Sequence, residues 1–130
     1  MRLWHEDLIP FLPRQQLLGQ HRECCALRGL GWKKPHSTIN YVFEYHWYVL
    51  YRFHTKVIWE IQIRGYNVDP LWEDPCYRGK NCLPYNILSG KEQIKLEKNI
   101  MYPCYKEHSN KYLTECLNNL KNKGIIIELS

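Results

Sequence analysis

Between Ile39 and Ile61 the apolar and aromatic residues recur at steps of three and four: Ile39, Val42, Phe43, His46, Val49, Leu50, Phe53, Val57, Ile58 and Ile61. That spacing keeps one face of an α-helix turned inward and does not match the two-residue alternation of a half-buried strand. Several of these side chains are β-branched or aromatic, which lowers helix propensity, so the opening part, Ile39 to Phe43, stays open to an extended conformation. The secure helix is predicted from Trp47 to about Arg64, with Gly65 as its stop. A long apolar face needs partners to cover it, and the rest of the chain offers them. Pro13 suits the first position of a helix, Leu17, Leu18, Cys24 and Cys25 form an apolar ridge, and Gly29 follows, which predicts a first helix from Pro13 to about Arg28. A modest helix is expected from Lys91 to Met101, ended by Pro103. A last one starts after a Ser109 cap, carries Leu113, Cys116, Leu117 and Leu120 on one face and stops at Gly124. Asn67 to Tyr85 holds Asp69-Pro70, Asp74-Pro75 and Leu83-Pro84, each disfavouring helix at the residue before proline, and is expected to be an irregular packed loop. The apolar tail Ile125-Ile126-Ile127 should dock on the core. The expected architecture is all-α: one compact domain over residues 1–130, about three main helices around an aromatic core, with long irregular loops.

A length of 130 residues suits one domain and permits a real core. The 18 Lys and Arg against 13 Asp and Glu give a formal charge of +5, which favours an anionic partner, with nucleic acid as the leading class. Ten Tyr and five Trp supply rings that serve as core or as base-stacking platforms. The first residues include Arg2, His5, Glu6 and Asp7 and do not read as a secretory signal, and no stretch approaches the roughly 20 apolar residues of a membrane span. A cytoplasmic monomer without membrane contact is expected. Six cysteines are then read as free thiols. Cys76-x5-Cys82 and Cys104-x3-His108 would supply zinc with four ligands, but their spacing is not that of common zinc modules, and no metal is assigned.

The run Arg14-Gln-Gln-Leu-Leu-Gly-Gln-His-Arg-Glu23 carries the most chemistry. On a helix of about 3.6 residues per turn, Gln15, Gly19 and Arg22 share one ridge, and Gln16, Gly19 and Glu23 share the next. Glycine inside a helix costs roughly 1 kcal/mol against alanine, so Gly19 points to close packing or to access for a substrate beside Arg22 and Glu23. An arbitrary Arg-Glu pair on a helix is more often only a solvated face.

The Gln-x-Leu-x-x-x-x-Arg-Glu run from Gln15 to Glu23 resembles the active helix of the pyrimidine-dimer DNA glycosylases of the phage endonuclease V type. Ile61-Gln-Ile-Arg-Gly-Tyr-Asn67 resembles that family's second-helix ending. The opening Met-Arg-Leu-Trp-His and the Arg-Glu-Cys-Cys signature are similar to a cellular branch grouped with it. The likeness covers roughly residues 1–68. It implies a glycosylase with an associated β-elimination, or AP lyase, step on damaged pyrimidines in double-stranded DNA, with no metal or organic cofactor. The implied nucleophile is the chain's own α-amine, whose unperturbed pKa of about 7.7 to 8.0 leaves a useful neutral fraction, against roughly 10.4 for lysine. Arg2 is too bulky to permit removal of Met1, so the amine is assigned to Met1. Glu23 matches the family's catalytic glutamate, Arg22 its neighbouring arginine, Gln15 its upstream glutamine and Arg2 the arginine after the nucleophile.

Around this pair, Arg2, Arg22, Arg28, Lys33 and Lys34 are the phosphate candidates, Trp32 a stacking ring, and Gln15 and His21 neighbours of the site on the DNA-binding side. The bland alternatives are a basic surface loop over an inward Trp32 and a structurally satisfied His21. A fold and a short motif do not guarantee chemistry, so a noncatalytic nucleic-acid-binding module on the same scaffold is the competing expectation.

Overall fold

The computed structural model describes residues 2–29 and 38–129. The expectations placed on Met1, Trp32, Lys33 and Lys34 lie outside the described residues. Within them the chain is all-α, with no strand. Four α-helices run in the order α1 (Arg14–Arg28), α2 (Trp47–Ile63), α3 (Gly90–Asn99) and α4 (Asn110–Asn122). Short 3-10 helices occupy Glu6–Phe11, Asn40–Glu44 and Pro70–Glu73. No described helix is long and apolar enough to cross a membrane.

The central element is α2. It buries Tyr48, Val49, Leu50, Phe53, His54, Val57, Ile58 and Ile61, and it packs against α1 and the Glu6–Phe11 turn. The helix begins at Trp47 because His46 holds an extended ψ of 141° and its Nδ1 accepts the Tyr48 N–H at 3.0 Å, a cap made by a residue type not usually credited with the role. The stretch before it neither continues the helix nor extends. Asn40–Glu44 coils as a 3-10 helix, burying Ile39 and Val42, and Tyr45 then breaks it in an extended conformation. At the other end Gly65 takes φ +87°, its N–H bonds Gln62 C=O at 2.9 Å, and Tyr66 N–H bonds Ile61 C=O at 3.1 Å. This is a Schellman ending, which needs a residue without a Cβ at the left-handed position. Arg64 then ties α2 to the entry of α1: its guanidinium donates to Leu12 C=O at 2.7 Å and Pro10 C=O at 3.1 Å, and its Nε pairs with Glu60 at 2.8 Å.

The first helix starts one residue after the expected proline, with Pro13 as N-cap, and buries Leu17, Gln20, Cys24, Leu27 and Arg28. Gly29 ends it without a left-handed turn, at φ −97°. Glycine is required there by a close approach, since a Cβ would sit 2.9 Å from the Arg78 carbonyl oxygen. The loop that makes this approach, residues 67–85, is irregular as predicted and is anchored by Arg28. Nη1 donates to Trp72 C=O at 2.9 Å, and Nη2 donates to Asp74 C=O at 2.7 Å and Tyr77 C=O at 2.9 Å.

The last helix follows its Ser109 cap, with Ser109 Oγ accepting Tyr112 N–H at 3.2 Å, and buries Cys116 and Leu120. Ile125 and Ile127 pack against the core while Ile126 faces out. The third helix, which buries no residue, is held through Glu97, which accepts from Tyr48 Oη and pairs with Arg52 at 3.2 Å.

Candidate active site

The side of α1 that meets the amino-terminal segment is built around a glutamine. Gln20 lies on the buried stripe Leu17–Gln20–Cys24–Leu27 and is 1% exposed. Its Oε1 accepts Trp4 N–H at 2.7 Å, and its Nε2 donates to Arg2 C=O at 3.0 Å and to Glu23 Oε2 at 2.9 Å. The terminal segment is thus pinned alongside α1 by a side-chain amide that copies the donor and acceptor of a strand. Tyr112 on α4 holds the other side of it, donating to Leu3 C=O. The Arg2 guanidinium lies 5.5 Å from the centre of the Tyr112 ring.

Glu23 is half-buried. Burial pushes its carboxyl above the ordinary carboxylate range, opposed in part by the positive charges of Lys123 and Arg22. Lys123, at the C-terminal end of α4, has its ammonium 5.4 Å from the centre of the Trp4 ring. A carboxyl so placed holds its proton more readily than a free one, which suits a group that must both give and take protons. Arg22 and Gln15 are exposed on the same helix. Gly19 leaves room among the described residues, where a Cβ would meet Arg22 Nη2 at 3.7 Å, an ordinary contact.

Two expected site residues are placed elsewhere. Arg28 is 2% exposed, and its donors go to the carbonyls of the 72–77 loop and to His54, so it has no reach to a phosphate. His21 points away from Glu23 and toward α2, with its Nδ1 2.8 Å from His54 Nε2. A residue two positions from Glu23 lies about 200° around a helix from it, which puts the two on opposite sides.

His21, Cys25 and His54 are the described residues whose ligand atoms come together, all within 4.8 Å of one another. Their hydrogen bonds disfavour a metal. Arginine only donates, so His54 Nδ1, 3.0 Å from Arg28 Nη1, must accept. The proton of His54 is then on Nε2, pointing at His21 Nδ1, and the His21 proton is on Nε2, 3.7 Å from Cys25 Sγ. A cation would have to displace the proton that closes this chain, beside a buried guanidinium. Burial and the Arg28 charge also hold His54 well below the usual histidine range. The weighed set Cys76, Cys82, Cys104 and His108 forms no such group among the described residues.

An open groove of about 590 Å³ lies elsewhere, lined by Glu6, Asp7, Phe11, Trp59, Glu60 and Tyr102 among others. Lys56 also lines it and pairs with Glu6, and Glu60 pairs with Arg64, so the groove offers a phosphate backbone no surplus of positive charge.

Sequence reasoning missed Gln20 and Lys123. The signal for Gln20 is an amide standing where the apolar stripe of α1 calls for a hydrophobe. Lys123 has no such signal, because its place beside Glu23 depends on how α4 returns to the terminal segment.

A family model described as pyrimidine dimer DNA glycosylase matches residues 1–74. Searches of curated proteins and of solved structures return no significant match.

Proposed function

The chain belongs to the pyrimidine dimer DNA glycosylase family, and from that premise we propose that it excises damaged pyrimidines from double-stranded DNA and cuts the strand through an imine formed on the α-amine of Met1. The observation that carries this reading is the attachment of the terminal segment beside Glu23: the Gln20 amide donates both to Glu23 Oε2 at 2.9 Å and to Arg2 C=O at 3.0 Å. Arg2 is covalently joined to the residue that bears the proposed amine, so the shared amide couples Glu23 to the segment that carries it.

The neutral α-amine attacks C1′ of the damaged nucleoside, and the base leaves with the bonding electrons and takes up a proton. Glu23 in its acid form gives a proton to O4′ as the sugar ring opens, leaving a protonated imine at C1′ that its carboxylate then stabilises. Loss of a C2′ proton expels the 3′ phosphate by β-elimination, and water hydrolyses the imine to release the amine. Reaching the base requires flipping a nucleotide out of the stack, cheapest where damage has already weakened it.

Borohydride reduction in the presence of abasic-site DNA tests the mechanism. A covalent adduct is expected, with intact mass showing Met1 retained and unformylated, and peptide mapping placing the sugar remnant on Met1. A remnant on a lysine overturns the assigned nucleophile. Binding without any adduct leaves the noncatalytic module in its place.

A further inference from the structure

The Gln20 amide is bonded at all three of its hydrogen-bonding groups, and one of those bonds serves no purpose in holding the chain. Nε2 has two hydrogens: one goes to Arg2 C=O, the other to Glu23 Oε2, while Oε1 takes Trp4 N–H. The bonds to Arg2 and Trp4 set the register of the terminal segment on α1, since an amide that accepts from residue 4 and donates to residue 2 fits only one alignment of that segment. The third bond goes to a carboxylate three residues along the same helix and fixes nothing in the terminal segment. Packing alone does not call for it either, because Gln20 sits between Leu17 and Cys24 on a stripe where an unbranched apolar side chain would fill the same space.

Resting on the catalytic reading above, we propose that Gln20 is a positioning residue: one rigid amide sets the amino-terminal segment and the Glu23 carboxyl in a fixed relation and, by aiming a donor at that carboxyl, favours its ionised form. The first half follows from the two backbone bonds. The second follows from the direction of the third: a donor aimed at a carboxyl favours its ionised form, opposing the burial that pushes Glu23 upward. A substitution at Gln20 therefore disturbs two things that a purely structural amide would not disturb together, the reach between amine and acid and the pH at which the acid ionises.

Gln20→Met keeps length and volume and deletes all three bonds. Gln20→Glu keeps an acceptor for Trp4 N–H and sets a second carboxyl against Glu23 and Arg2 C=O. Single-turnover cleavage of abasic-site duplex DNA should fall at least tenfold in both at neutral pH, with the Kd for that duplex within about twofold of wild type. The limb of the pH–rate profile governed by Glu23 should move to higher pH, further in Gln20→Glu than in Gln20→Met. A Gln20→Met protein that loses melting temperature while its pH limb stays in place would make Gln20 a packing residue and overturn the proposal. Glu23→Gln, assayed in parallel, separates the two levels of argument. If it still cleaves, the reading of Glu23 itself fails. If it is inactive while both Gln20 variants cleave like wild type, only the role of Gln20 fails. Should neither Gln20 variant fold, wild-type protein labelled at the glutamine side chains decides. The Gln20 amide protons should be inequivalent, protected from exchange and should shift with the Glu23 titration, and an amide that exchanges freely or ignores that titration overturns the proposal.

Discussion

Glu6 and Glu23 are both carboxyls withdrawn from water, and their surroundings send them in opposite directions. Burial would raise Glu6, but the Lys56 ammonium and the Cys104 N–H at 2.8 Å outweigh it and hold the group below the ordinary range. A lowered folded-state pKa contributes stability that is present above the unfolded value of about 4.5 and is lost as pH falls through the folded one. Glu6→Gln should therefore cost about 2–3 kcal/mol at neutral pH, modest for a buried pair because Lys56 reaches solvent. The gap to wild type should close as pH falls below that of the free carboxyl; a gap in melting temperature independent of pH would mean the pair does not act as a charge pair. For Glu23 the sign reverses. Its raised pKa makes the folded protein the tighter proton binder, so this group's contribution is greatest below about 4.5 and is lost as pH rises through the folded value. Glu23→Gln removes that cost of ionisation, so at pH 7 it should melt no earlier than wild type while single-turnover cleavage falls roughly 100- to 10,000-fold, the worth of general acid–base assistance. A fall of less than tenfold sinks the catalytic assignment. A residue kept in an environment that opposes its charge is the pattern of a group placed for chemistry.

The helices carry the same division between what packing explains and what it does not. The three- and four-residue recurrence in α2 and the ridge of α1 were legible, and the observed ends of α2, at Trp47 and Ile63, lie within a residue of those expected. What periodicity cannot carry is the partner of a polar residue on a buried face. Arg28 reads in sequence as a cation for phosphate, yet it anchors a loop more than forty residues away through backbone carbonyls, which have no residue signature. Arg28→Lys keeps the charge and loses the planar fork, so residues 70–77 should loosen, with proteolysis or amide exchange faster there and about 2–4 kcal/mol of stability lost. An unchanged exchange rate in that loop would show that Arg28 is not its anchor. Gly19 is the converse case, a legible oddity that the packing does not explain. Among the described residues a methyl group there meets nothing closer than Arg22 Nη2 at 3.7 Å, so Gly19→Ala should stabilise α1 by up to about 1 kcal/mol. If the open space over Gly19 is where the substrate approaches, the same change should lower DNA cleavage at least tenfold. A variant that is both more stable and fully active would remove Gly19 from the site.

Across the whole molecule, residues from opposite ends of the chain meet at the terminal segment. Glu23 and Gln20 come from α1, Trp4 and Arg2 from the segment itself, Tyr112 and Lys123 from α4, and the last two lie outside the span that the family model matches. The formal charge of +5 is unevenly spread. Arg22 and Lys123 both act on Glu23, whereas the groove between the Glu6–Phe11 turn and α2 is lined by Glu6, Asp7 and Glu60. A polyanion is drawn to the first of these faces, while at the second Glu6 is paired with Lys56 and Glu60 with Arg64, which leaves no excess cation to attract it. With Arg28 consumed by the fold, the described cations left for phosphate around Glu23 include Arg2, Arg22 and Lys123; Lys33 and Lys34, the other candidates, lie outside the described residues. Each cation that meets a phosphate releases counterions, so the slope of log affinity against log salt falls by about 0.9 for each such contact removed. Changing Arg22, Lys33 and Lys34 together to Ala should flatten the slope by up to about three contacts' worth, and adding Lys123→Ala should flatten it by about one more. Glu60→Gln, on the acidic groove, should leave it unaltered. A slope that ignores the four cations and responds to Glu60 would put the DNA at the groove between the Glu6–Phe11 turn and α2.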